Sequence, residues 1–147
     1  MVTVRELLKG KGSEVWYVKP NEPVLKALTM MADKDIGSLL VMEEGKLRGI
    51  VTERDFVRSL AESESCALDA DVKKYMTRVV ITVNPSQTDE DCMRLMTEHR
   101  IRHLPVVDND RVIGVLSIGD IVKAEIISRD AMINSLENYI EGRGYGQ

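Results

Sequence analysis

Laid on itself with an offset of 65 residues, the distance from Pro20 to Pro85, the chain repeats its own pattern. Trp16–Arg58 matches Ile81–Lys123 without a gap, so that Met31 falls on Met96, Ile36 on Ile101, Gly49 on Gly114 and Asp55 on Asp120. Apolar positions coincide too: Leu28 with Met93, Leu39 with Leu104, Val41 with Val106. Self-similarity at a fixed period marks a fold assembled from copies of one supersecondary unit. A unit of about 60 residues buries too little surface to be secure alone. The copies are therefore expected to pack on one another, with residues 1–65 as the first, 66–130 as the second and 131–147 as the end of a helix and a flexible tail.

Each copy reads as strand, helix, strand, strand, helix. The first strand is expected at Val15–Val18 and at Val79–Val83, each closed by a proline that cannot donate to a ladder. Asn21 and Ser86 are placed to cap the helices that follow. Val24, Ala27, Leu28 and Met31 recur at helical spacing, and Cys92, Met93, Leu95 and Met96 form the second apolar set. Asp89, Glu90 and Asp91 put negative charge at the positive end of that helix dipole. Met30, Met31, Met93 and Met96 read as core or dimer-contact residues. Ser38–Met42 with Leu47–Val51, and Leu104–Val107 with Val112–Leu116, read as hairpins across polar turns. Ala61–Asp71 is a polar, acidic connector. A matching lead-in precedes each first strand, Val4–Leu8 and Val72–Met76. The first is followed by three extra residues in the stretch Lys9-Gly10-Lys11-Gly12-Ser13, expected as a flexible loop. The expected fold class is mixed α/β: two repeats of short strands and two helices, packed sheet against sheet with pseudo-twofold symmetry. Past Asp120, apolar residues continue at Ile121, Val122, Ala124, Ile127, Met132, Ile133, Leu136 and Ile140, a long helix or two segments ending before Gly142, Gly144 and Gly146.

Net charge is −4 with both signs mixed, which argues against a general nucleic-acid binder in need of a basic face. Apolar runs are too short for a membrane span, and the N-terminus shows no basic region followed by an apolar stretch. A soluble cytoplasmic protein is expected, with neither nucleic acid nor membrane as partner. Cys66 and Cys92 lie outside any CxxC and read as reduced thiols. His99 and His103 are four apart, but the helix is expected to end near Arg100 and no further ligand completes a metal set. No nucleophile stands beside a plausible base, so neither catalysis nor a catalytic cofactor is expected.

The chemistry concentrates in two matching turns, Gly49-Ile50-Val51-Thr52-Glu53-Arg54-Asp55 and Gly114-Val115-Leu116-Ser117-Ile118-Gly119-Asp120. Each puts a hydroxyl at a strand end and a carboxylate three residues on, in the first turn of a helix. Two readings stand side by side. Thr52 with Asp55, and Ser117 with Asp120, are capping boxes; or each carboxylate accepts the two hydroxyl hydrogens of a ribose while free helix-start amides take an anion.

These two motifs, with Met96-Thr97-Glu98-His99-Arg100-Ile101-Arg102-His103-Leu104-Pro105-Val106-Val107, resemble the CBS domain, named after cystathionine β-synthase, whose tandem pair is called a Bateman module. From Thr3 to Ile140 the chain resembles free-standing CBS-pair proteins of bacteria and plant mitochondria. The resemblance implies clefts between the repeats that bind adenosine-containing ligands: AMP, ADP or ATP first, with S-adenosylmethionine or NAD(H) as alternatives. It assigns the ribose to Asp55 and Asp120 with Thr52 and Ser117 beside them, and the base to Tyr17, Val18, Thr82, Val83, Leu40 and Pro105. It assigns phosphate to Arg102 and His103, with Arg54 as a further candidate. Arg102 and His103 face Gly37 and Ser38 across the repeat, and Arg54 faces Gly119, so two unequal sites are expected. The resemblance also implies a homodimer and a partner protein that reads the ligand state. A dimerising scaffold without a ligand is the alternative.

Overall fold

The computed structural model describes residues 1–64 and 67–142; Cys66, Gly144 and Gly146 lie outside them. Helix α1 (Val4–Lys11) leads to strand β1 (Tyr17–Val18), α2 (Val24–Lys34), β2 (Ser38–Glu43), β3 (Lys46–Thr52) and α3 (Glu53–Ser63). A 3-10 turn at Val72–Lys74 precedes α4 (Asp89–His99), β4 (His103–Asp108), β5 (Arg111–Ser117) and α5 (Ile118–Ile140). β1 runs parallel to β2, and β2 antiparallel to β3. β4 and β5 form the second hairpin.

The repeat survives in backbone detail. Each hairpin turns through two residues of positive φ, Glu44-Gly45 and Asn109-Asp110, the conformation whose twist suits a two-residue loop. Register shifts fall at Val41/Met42 and at Val106/Val107. Asp35 and Arg100 end α2 and α4 in the left-handed region. Each sheet covers its own core: Val18, Leu39, Val41, Val51 and Phe56 with α2 and α3, and Val83, Leu104, Val106 and Leu116 with α4 and α5. Met31 and Met96 lie in these cores, and Met30 and Met93 pack against them.

The lead-ins are exchanged between the repeats. Val4, Leu7 and Leu8 of α1 pack in the second core, where the amides of Val4 and Arg5 donate to the carbonyls of Gln87 and Pro85. Val72, Tyr75 and Met76 pack in the first, where the amides of Val72 and Lys73 donate to Glu22 and Pro20. Tyr75 lies against Phe56 with ring centroids 5.9 Å apart. Each half thus buries the lead-in of the other.

Five expectations need correction. The strand expected at Val79–Val83 shrinks to one parallel bridge, Val83 to Val106. Thr77 is tied to Ile50 of β3, so residues 77–82 are spent crossing between sheets and do not ladder with β4. Its counterpart keeps only Tyr17–Val18. Asn21 and Ser86 do not cap: the chain first makes a turn after each proline, in which the Ser86 hydroxyl donates to Asn84 Oδ1 at 2.6 Å. The caps are Pro23, which offers no side-chain bond, and Thr88, which forms a capping box with Asp91. Finally, α1 extends through the expected loop to Lys11, and α3 to Ser63 takes the start of the expected connector.

Candidate functional site: the cleft between the repeats

Both motif turns form capping boxes. Thr52 Oγ1 accepts from the Asp55 amide at 3.3 Å, and Asp55 Oδ2 accepts from the Thr52 amide at 2.8 Å. Ser117 and Asp120 repeat this at 3.2 and 2.7 Å. Thr88 and Asp91, and Thr3 and Glu6, form the same box elsewhere, so the pattern alone is structural. What sets the two motifs apart is their place at the ends of β3 and β5. Their capping bonds all fall on Oδ2, leaving Oδ1 of Asp55 without a bond among the described residues. The helix-start amides offer an anion little. Glu53 N–H donates to the Gly37 carbonyl and Ile118 N–H to that of Arg102, while the third amide of each helix is held by its cap.

A cleft of about 740 Å³ opens at the first motif. Thr52, Arg54 and Asp55 line it from one repeat, and Arg102 and His103 from the other. The three groups assigned to phosphate therefore share one cleft. Arg58 and Arg100 join them, making four arginines with His99 and His103 against two carboxylates, Glu53 and Asp55. None of the four arginines is ion-paired among the described residues. Ile50, Val57, Val79, Val80, Ile81 and Ile101 give the cleft an apolar wall.

The residues assigned to the base lie elsewhere. Val18 and Val83 are sealed in the two cores. Leu40 and Pro105 are buried, on the sheet faces opposite those cores. Tyr17 and Thr82 are exposed. None of these six residues lines the cleft. Val79-Val80-Ile81, read above as ladder-forming strand, instead turns toward it. Arg58 matches Lys123 and Ile101 matches Ile36 across the repeat, the signal that could have found them; Arg100, the left-handed end of α4, falls on Asp35 and has no such match.

His103 pairs with Ser117 in the β4–β5 register, so it borders the second motif as well. Burial pushes its basicity down, Lys11 and Arg102 push it further, and Asp120 opposes them. At Asp120, burial raises the carboxyl's pKa, but hydrogen bonds from Lys11 and the Ser117 amide outweigh it and hold the group below the usual carboxylate range. Ser117 and Asp120 do not line the large cleft. The two motifs thus differ in their surroundings. Among the described residues no cluster of His, Cys, Asp and Glu could hold a metal ion, and no helix is long and apolar enough to cross a membrane. Cys92 is buried, and burial, with Asp91 and Asp89 near, pushes its thiol up to about 11.

The CBS domain model matches residues 4–62 and again 72–127. This chain belongs to the CBS domain family. It is 34% identical to the mitochondrial CBS domain-containing protein CBSX3 of Arabidopsis thaliana, over 97% of this chain and 73% of that protein. A CBS-domain structure from Burkholderia ambifaria is 44% identical with a TM-score of 0.81, covering 86% of this chain and 95% of that one. The CBS domain pair of protein MJ0100, solved in complex with 5′-methylthioadenosine and S-adenosyl-L-methionine, is 26% identical with a TM-score of 0.74, over 84% of this chain and 95% of that one. CBS domains are regulatory rather than catalytic modules. The pair described here has the fold of such a regulatory ligand-binding module.

Proposed function

We propose that this CBS pair senses an adenine nucleotide, AMP, ADP or ATP, in the cleft between its repeats. The observation that carries this reading is the convergence of Asp55 and Thr52 with unpaired arginines from both repeats around one apolar-walled cleft. The carboxylate suits a ribose diol, the wall a purine face, and the arginines a phosphate tail, for which the guanidinium fork is fitted. The same excess of positive charge disfavours the sulfonium of S-adenosylmethionine. Binding shifts the arrangement of the repeats only by its differential affinity for two states, and a partner protein reads the altered surface. Thermal unfolding tests the reading. ATP at about 100 times its Kd adds about 2.7 kcal/mol to stability, whereas S-adenosylmethionine at the same concentration gives a smaller rise. No rise with AMP, ADP or ATP would return the chain to the scaffold reading.

The pair also acts as a homodimer. α5 spans 23 residues, and from Ile126 to its end every side chain is exposed. Val122, Ile126, Ile133, Leu136 and Ile140 lie three, four or seven residues apart, so they form one seam along the helix, each at least half exposed. A seam of this kind is self-complementary across a twofold axis. Light scattering is expected to give a dimer for the native chain and a monomer for Ile133→Asp. A monomeric native chain at micromolar concentration would rule the dimer out.

A further inference from the structure

The second motif aspartate is already occupied by a group from the same chain. The Lys11 ammonium, on the last residue of α1, donates to Asp120 Oδ2 at 2.6 Å and to the Val115 carbonyl at 2.5 Å. In the first repeat the corresponding carbonyl, that of Ile50, takes a backbone donor instead, the Thr77 amide at 2.8 Å. The difference follows from the exchanged lead-ins. The lead-in to the first repeat's sheet leaves its 3-10 turn at Lys74 and is extended by Thr77, which bridges to β3. The lead-in to the second stays helical to Lys11, through the three residues that break the repeat's length, and so delivers a side chain where the other delivers backbone. Asp120 is thus neutralised by a lysine on a helix that stops at Gly12, whereas Asp55 faces the open cleft.

We propose that Lys11 is a built-in latch on the second motif: it holds the aspartate that a ribose would need, and a nucleotide binds there only by displacing it. The latch rests on the nucleotide reading above and adds its regulation. The chain then presents one nucleotide site at rest and a second whose opening frees the C-terminal end of α1. Because α1 is packed in the second core, the release of Lys11 is a signal carried by the lead-in itself.

Calorimetric titration of the intact chain with ATP tests this. Native protein is expected to bind one ATP per chain. Lys11→Met keeps the length and helix propensity of lysine and removes the charge. It is expected to bind two, with affinity at the second motif raised at least about tenfold, the order expected on removing a competing hydrogen bond to a charged group. Adding Asp120→Ala to Lys11→Met restores one. Lys9→Met, in the same last helical turn, leaves the count at one, and Lys11→Gln repeats the test should the Met variant fold poorly. Two sites in native protein, or one in both Lys11 variants, would overturn the latch while leaving the first cleft's nucleotide intact. No ATP bound by any variant would instead defeat the nucleotide reading and the latch with it.

Discussion

Asp55→Ala is expected to weaken ATP binding about 100-fold, while Asp91→Ala leaves it unchanged. The comparison is informative because the two aspartates fill the same place in a capping box, Asp91 adding only a surface ion pair with Arg94. Asp55 Oδ2 accepts the Thr52 amide at 2.8 Å, and Asp91 Oδ2 accepts the Thr88 amide at 3.0 Å. Each substitution removes one half of a capping box, at a cost of about 1 kcal/mol in unfolding free energy. Only Asp55 lines the cleft. In the proposed nucleotide site its loss would remove two charge-assisted hydrogen bonds to the ribose, each of the order of 1.5 kcal/mol, and a 100-fold change is about 2.8 kcal/mol. Unfolding midpoints and ATP titrations on both variants separate the effects. If both lose the same stability and neither loses affinity, the motif is only a cap and the ribose lies elsewhere.

That the motif admits both readings shows how far the chain alone was legible. The duplication carried the fold: Gly, Pro and Asp in register across the copies required two like units, and the hairpins and helices followed from period and turn chemistry. The partners of the lead-ins were not legible. Val4–Leu8 and Val72–Met76 carry the same apolar spacing, and nothing local says which core receives which, because the choice is made by tertiary packing. The same exchange explains where the residues assigned to the base lie. Residues 77–82 have strand composition but are needed to cross between sheets, so Val79 and Ile81 become cleft wall and Val18 and Val83 stay in the cores. The convergence of Arg54 with Arg102 and His103 was legible, because their asymmetry between the copies suggested a pocket built from both. Lys11 was not, since a lysine flanked by glycines reads as loop until α1 is seen to carry it into the second repeat.

Gly49→Ala is expected to destabilise the pair by about 3 kcal/mol, and Gly114→Ala by about 1 kcal/mol, within the range for overpacking a filled site. Both glycines open the motif, yet neither φ is positive, so backbone freedom is not their reason. Their reason is the exchanged lead-in. A Cβ on Gly49 would stand 2.8 Å from the Thr77 carbonyl oxygen and 2.8 Å from Met76 Sδ; one on Gly114 would stand 2.6 Å from Leu8 Cδ2. The Leu8 methyl is the far end of a flexible side chain and can turn aside. The Thr77 carbonyl is backbone, bonded to the Ile50 amide at 3.0 Å while the Thr77 amide returns a bond of 2.8 Å to Ile50. Relieving that clash moves the crossing strand, and with it the Val79–Ile81 wall. Gly49→Ala should therefore lower ATP affinity as well as the unfolding midpoint, whereas Gly114→Ala should lower only the midpoint. Equal losses from the two substitutions would mean that the lead-ins are held no more firmly at the first sheet than at the second, and that the bridge at Thr77 is not what positions the wall.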